Sequence, residues 1–302
     1  MPTTIDTKLY DDIISKRVLE SFHSALSPLS MFSTDYSPEA REYGASIIVP
    51  LLGGVEATDT RNDYETATGK MAPVEISLDQ YAKATVGLTD EQFLNSSSAT
   101  LEGFADEMGQ AVAEKVIKDV FKLITKTNFP AMLTATPGMP MTKLVKQARR
   151  IMNSKNVPLS RRTFFPSVDA FDLLADDPAV QFASALHYGG TEYIREGKIP
   201  RFLGFDIFES TLLPESAQNG FCVHPAALAV ATRALISKSK ESYLESRVIT
   251  DKKTGMALYY RRHYSTSKGK MFITVECVYG ATVGQKDGLV ILPQIPAESP
   301  TK

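Results

Sequence analysis

Hydrophobic residues near the start of the chain recur at spacings of mostly three to five: Leu9, Ile13, Ile14, Val18, Phe22 and Leu26. Asp11, Asp12, Lys16 and Glu20 fall between them. This period predicts an amphipathic helix whose apolar stripe must be buried. Pro28 and Pro38 then break the pattern, so the helix hangs on an irregular connection and packs either on its own domain or on a neighbour. Two extended runs follow, "GASIIVPLL" and "MAPVEISLDQYAKATVGL", around the polar tip "GGVEATDTRNDYETATGK". With Val55 and Tyr64 as its only larger apolar residues, the tip has no core of its own. The expected long hairpin therefore projects from the body, either as an active-site lid or as an arm over an adjacent subunit.

The clearest period comes next. After Asn95 and Ser96 to Ser98, which offer capping oxygens, Leu101, Phe104, Ala105, Met108, Val112, Val116, Val120, Leu123 and Ile124 mark one helical face. Acids lie early in this segment and lysines late, as the helix dipole favours. The pattern predicts one helix over 97–126, roughly 40 Å long, stopped before Pro130. From 131 to 235 the elements shorten and mix: a helix in "MTKLVKQARRIM", a strand in "RRTFFPS", two short helices divided at Pro178, and a strand in "GFDIFES". "FCVH" reads as a further strand feeding an alanine-rich helix from Pro225. The last runs, "ESRVIT", "MALYYRRHY", "MFITVECVYG" and "GLVILP", are strands, with Gly255 suited to a hairpin turn. Their apolar faces need the long helix as partner, which makes the chain an α+β protein.

Composition narrows the classes. At 302 residues with 43% hydrophobic and 23% charged residues, the chain is ordinary for a globular protein of one elaborated domain or two intertwined ones. No apolar run is long enough for a membrane span, and the N-terminus does not read as a secretion signal. A net charge of −2 with scattered Lys and Arg predicts at most weak contact with nucleic acid. Cys222 and His224, two apart on a predicted strand, share a face and are a conceivable ligand pair or nucleophile and base, but no further ligands lie nearby in sequence. A buried Cys with a capping His is the favoured reading. Arg161-Arg162 and Arg261-Arg262 read as inter-element ion pairs in preference to anion grips. No phosphate loop, nucleophile elbow or dinucleotide fingerprint is present, so no catalytic residue, cofactor or metal is expected.

Two stretches carry a family resemblance. "RFLGFDIFESTLLP" with "GFCVHPAALAVATR", followed by "DKKTGMALYYRRHYSTSKGKMFITVECVYG", resembles the major capsid proteins of tailed bacteriophages, which have the Hong Kong 97-like fold. Gly204, Phe205, Ile207, Pro214, His224, Ala227, Leu228, Ala229, Ala231 and Arg233 match the soft family pattern, as does Val278 to Gly280, and the order of elements agrees over about 45–293. The resemblance implies an N-terminal arm at 1–43, an extended loop at 44–85 and a peripheral domain at 86–130 and 236–293 around a spine helix at 97–126. An axial domain at 131–235 and a tail at 294–302 complete it. It further implies pentamers and hexamers in an icosahedral virion shell around double-stranded DNA, assembled in the host cytoplasm. Implied partners are other copies of the chain, a separate scaffolding protein, a portal protein at one vertex and DNA contacted non-specifically, without membrane. Inter-subunit contacts are expected from Gly54, Asp59, Arg61, Asp63 and Tyr64 in the extended loop, and from Leu9, Ile13 and Phe22 in the arm. Two rivals stand beside this reading: an encapsulin-like compartment shell, and an enzyme with a lid at 53–70.

Overall fold

A computed structural model describes residues 7–34, 46–52, 71–95, 98–131, 133–178, 180–182, 199, 201–235, 243–251 and 255–296. Helix α1 (Thr7–Ala25) and a 3-10 turn precede a ribbon of β1 (Ser46–Leu52) and β2 (Met71–Ser77). Strand β3 (Gln80–Thr89), short α2 (Asp90–Asn95) and long α3 (Ser98–Phe121) follow. The next segment holds α4 (Met141–Ser154), β4 (Thr163–Pro166), α5 (Val168–Ala175), β5 (Asp206–Ile207), β6 (Gly220–Val223) and β7 (Leu228–Arg233). The final strands are β8 (Glu245–Thr250), β9 (Ala257–Ser265), β10 (Lys270–Val283) and β11 (Leu289–Ile291).

Two sheets organise these elements. The first has the order β3-β10-β9-β8, all antiparallel, with β7 also paired to β10. Ile273, Val275, Cys277 and Tyr279 on alternate positions of β10 face α3, as strand geometry requires. Helix α3 lies between this sheet and α1: Val112, Val116 and Val120 share one core with Val18 and Phe22 on one side and Val275 and Tyr279 on the other. Each such aliphatic side chain removed from water contributes roughly 1.5–3 kcal/mol. The second sheet, β11-β6-β4-β5, is antiparallel apart from the β4–β5 pair. Phe165 and Phe221 on one of its faces reach the α3 core, while Phe164, Cys222 and Val290 on the other carry α4 and α5.

Several sequence-based expectations need correction. The alanine-rich run after Pro225 is a single 3-10 turn, Pro225–Ala227, followed by strand β7. Helix propensity loses there because the site is interior: β10 pairs along one edge, Ser33 exchanges backbone hydrogen bonds with Leu228 and Val230 along the other, and Ala229 and Ala231 leave room for Ile47, Ile76 and Leu78 of the ribbon root. The run "GLVILP" does not complete the first sheet; β11 pairs with β6 in the second. Strand β7, grouped by sequence with the middle region, belongs to the first sheet. The return run after the polar tip is two strands, divided at Leu78 and Asp79, because β2 pairs with β1 whereas β3 pairs with β10. Helix α3 stops at Phe121, short of position 126, where the backbone tightens and the Asn128 amide donates to the Leu123 carbonyl at 2.8 Å.

The chain thus crosses between the sheets three times, through α3 and α4 and again after β6 and after β10, and the last two crossovers hydrogen-bond each other: Gly284 N–H to Ala227 O at 2.8 Å, Gln285 N–H to Ala226 O at 2.8 Å, and His224 N–H to Gly288 O at 2.8 Å. At Gly284 a Cβ would stand 2.3 Å from the Ala226 carbonyl oxygen, so only glycine permits this approach. Beside the crossovers, Phe165 and Phe221 stack at 4.9 Å, Phe121 meets Phe221 edge-on at 5.6 Å, and Phe32 stacks on Phe165 at 6.0 Å. Phe165→Ala should therefore lower stability by ~3–5 kcal/mol in chemical denaturation of the unassembled subunit. Phe182→Ala, whose side chain is 69% exposed, should change it by less than ~0.5 kcal/mol in the same measurement.

Candidate assembly surfaces

The N-terminal helix is anchored on its own chain. Asp11, 1% exposed, accepts hydrogen bonds from the Tyr260 hydroxyl at 2.9 Å and the Arg262 guanidinium at 2.8 Å. Arg17 reaches Asp106 at 2.9 Å, Ser21 donates to the Asp106 carbonyl at 2.8 Å, and Asp12 pairs with Arg247. His23 stands 3.1 Å from Asp251. At the crossing of α1 and α3, a Cβ on Gly109 would lie 2.7 Å from the Val18 carbonyl oxygen, so the small residue sets the helix spacing. Of the three arm residues expected to serve a neighbour, Phe22 is fully buried in this chain's own core, which overturns that expectation for it. Ile13 is 42% exposed, and Leu9 lies in α1. The sequence carried a signal for this anchoring in Asp11, an acid on the apolar side of the stripe, whose partners the fold alone reveals.

The ribbon root rests on the first sheet. Ile47, Ile76 and Leu78 pack on Ala229, Ala231 and Val278, and Gly280 lets the Ser77 carbonyl come within 2.1 Å of where a Cβ would be. Gly54, Asp59, Arg61, Asp63 and Tyr64 of the tip lie outside the described residues. Beyond the root, the sheet face away from α3 carries a polar network. Arg261 donates to Glu276 at 3.0 Å and to the Tyr243 hydroxyl at 2.7 Å, and the Tyr81 hydroxyl donates to Glu276. Burial, reinforced by that carboxylate, pushes the Tyr81 phenol up. His263 stacks on Phe272 at 5.3 Å, and burial followed by Arg261 pushes its imidazole down.

The sequence motifs with chemical potential resolve into structure. Cys222 is buried among the α4 and α5 core and Cys277 among the α3 core, both as free thiols. Burial raises both, Cys277 to about 12, so neither is a thiolate at neutral pH. The His224 Nδ1 accepts the Ala226 N–H at 3.3 Å and caps the turn that starts the crossover. Burial, then Arg162 and Arg161, push its imidazole down. Arg162 is buried and donates to the Pro158 and Val157 carbonyls at 2.8 and 2.6 Å and to the Asn153 side chain at 2.8 Å, with no acid paired to it among the described residues. Arg261 and Arg262 do form inter-element ion pairs, with Glu276 and Asp11.

Asp119 on α3 joins helix to sheet. It takes Lys115 and Lys122 at 2.7 Å each and the Tyr279 hydroxyl. Burial opposes its ionisation, but those three hydrogen bonds outweigh burial and hold the carboxyl at about 2. Burial and the adjacent Asp119 push the Tyr279 phenol up.

These features define a class: a helix-and-sheet building block with an anchored arm and a paired ribbon leading to a polar tip. The chain belongs to the phage capsid protein family, whose model matches residues 72–292. It is a structural shell protein with the Hong Kong 97-like fold, and its place is the virion capsid. Among solved structures, it is similar to that of Mycobacterium phage Che8, at 17% identity over 87% of this chain and 89% of that one, with a TM-score of 0.59. The capsid of cyanophage P-SCSP1u is similar at 16% identity over 83% of each chain, TM-score 0.56. The virus-like particle from Pyrococcus furiosus is similar at 11% identity over 93% and 97%, TM-score 0.54. A comparison with curated proteins finds no match. Among the described residues, no helix is long and apolar enough to cross a membrane.

Two outcomes follow. Asp11→Ala leaves the Arg262 guanidinium buried without its acid and should cost ~3 kcal/mol in denaturation, with faster proteolysis within α1, whereas Arg17→Ala, at an exposed pair, should change both far less. Asp119, depressed below its usual 3.8, contributes stability that is present above about pH 4 and lost as pH falls towards about 2. Asp119→Asn should flatten stability across that acid window, by ~2 kcal/mol at most, in denaturation curves at successive pH values.

Proposed function

We propose that copies of this chain assemble into pentamers and hexamers that close an icosahedral shell around double-stranded phage DNA. Residues 1–43 act as the arm, 44–85 as the extended loop, 86–130 with 236–293 as the peripheral domain, and 131–235 as the axial domain, the crossovers exchanging β7 and β11 between the last two. The single observation that carries this reading is the capsid family match across 72–292, which spans both sheets and helix α3. The tip residues Gly54, Asp59, Arg61, Asp63 and Tyr64 lie over the adjacent subunit, and Ile13 and Leu9 supply arm contacts. The protein works without catalysis: its cysteines are buried thiols and His224 is committed to a cap. Assembly takes place in the host cytoplasm on a separate scaffolding protein, with a portal protein at one vertex and non-specific contact to packaged DNA.

The likeness to the Pyrococcus furiosus virus-like particle supports a second reading, an encapsulin-like compartment. The contents of purified shells separate the two: nuclease-protected DNA supports the phage capsid, and a stoichiometric protein cargo supports the compartment. Assembly itself is tested by sedimentation velocity and electron microscopy of the purified chain, alone and with a candidate scaffolding protein. Rings or closed shells are expected, and a strict monomer under every condition would overturn the reading. Deleting Gly54 to Gly69 should leave circular dichroism and melting unchanged while abolishing shells.

A further inference from the structure

The second sheet carries two helices of opposite charge on one face. Helix α4 contains no acidic residue, and Lys143, Lys146, Arg149 and Arg150 are all exposed on it. Helix α5 and the residue after it expose Asp169, Asp172 and Asp176 at helical spacing. Among the described residues none of these seven side chains has an ion-pair partner. The helices are neighbours: both belong to the core that holds Phe164 and Val290, they touch each other, and the Thr142 hydroxyl at the start of α4 donates to Asp177 after α5 at 2.7 Å. Yet no ion pair joins their charged sides among the described residues. Helix α4 lies over β11 at one edge of the sheet and α5 over β4 towards the other, so the lobe has a basic flank and an acidic flank.

We propose that the basic flank of α4 docks on the acidic flank of α5 in the next copy of the chain, head to tail around a capsomer ring. This rests on the shell reading above and adds to it the contact that sets ring polarity. Repeated head-to-tail contacts between complementary flanks generate rings, and each copy then satisfies both of its unpaired charge clusters. Shape agrees with charge. Lys146, Arg149, Arg150 and Asn153 line a depression of about 400 Å³ together with Leu203. On α5, Leu173 is 49% exposed on the same helical side as the three aspartates and presents an apolar knob for such a seat. An anionic polymer such as DNA would engage the basic flank alone and leave α5 uninvolved.

The test uses the full chain and two reversals: Lys146→Glu with Arg150→Glu, and Asp169→Lys with Asp172→Lys. Each variant alone should lose rings and shells by at least ~10-fold in sedimentation velocity, with melting of the unassembled subunit unchanged. The fourfold swap should assemble again. Mixing the two single-flank variants should recover rings of alternating composition, which must be even-numbered, so electron microscopy should show hexamers without pentamers. Wild-type assembly should weaken with added salt. The proposal is overturned if either reversal assembles like wild type, if neither the swap nor the mixture recovers rings, or if only the basic reversal has an effect and it tracks loss of DNA binding. A wild-type chain that never assembles sinks the shell reading, and this contact with it. Should a reversal variant fail to fold, Lys146→Gln with Arg150→Gln provides a milder probe: assembly should need about tenfold more protein, and an unchanged concentration dependence would overturn the contact.

Discussion

The two sheets hold together because four phenylalanines from four parts of the chain meet at the end of α3. Phe32 comes from the segment after α1, Phe121 from the last turn of α3, Phe165 from β4 and Phe221 from β6. Stacked and edge-on rings at these distances combine large buried area with directional preference, so the relative position of the sheets is set by shape as well as by water exclusion. The crossovers run beside this cluster and bond each other, which means that neither sheet can be completed without the other. A shell subunit must transmit stress between its lobes without coming apart, and a junction of this kind suits that demand.

Elsewhere in the first sheet and its helices, the choice of arrangement is concentrated where charge is buried and matched. Asp11 with Arg262 and Tyr260, Asp119 with Tyr279 and two lysines, and Glu276 with Arg261 and Tyr81 each tie one element to another far away in sequence. Ion pairs removed from water add little over apolar packing, but breaking one partner is costly. They therefore select one arrangement of α1, α3 and the first sheet over near alternatives. The exposed charges on α4 and α5 are of the opposite kind: among the described residues they have no ion-pair partner.

Much of this architecture was legible in the sequence. The long helix, the ribbon strands, the hairpin at Gly255 and the alternation of β10 follow from periods of 3.6 and 2 and from turn chemistry, which depend on near neighbours. Cys222 and His224 could be read as core and cap because no further ligand stood near them. The gathering of Lys143, Lys146, Arg149 and Arg150 on one helix, without an ion-pair partner among the described residues, was missed, since a count of scattered cations does not say which of them share a surface.

What the sequence by itself determined was the inventory of elements, the α+β class and, through the motifs around Gly204, His224 and Val278, the resemblance to capsid proteins. Tertiary structure alone decided where α1 docks, that the alanine-rich run is a strand, and that β11 leaves the first sheet for the second. The reason is physical. Propensity and period report a residue's preference relative to its neighbours in sequence, whereas Ala229 and Ala231 are extended because β10, Ser33 and the ribbon root surround them. Asp11 is buried because Tyr260 and Arg262, two hundred and more positions away, supply the hydrogen bonds it would otherwise take from water.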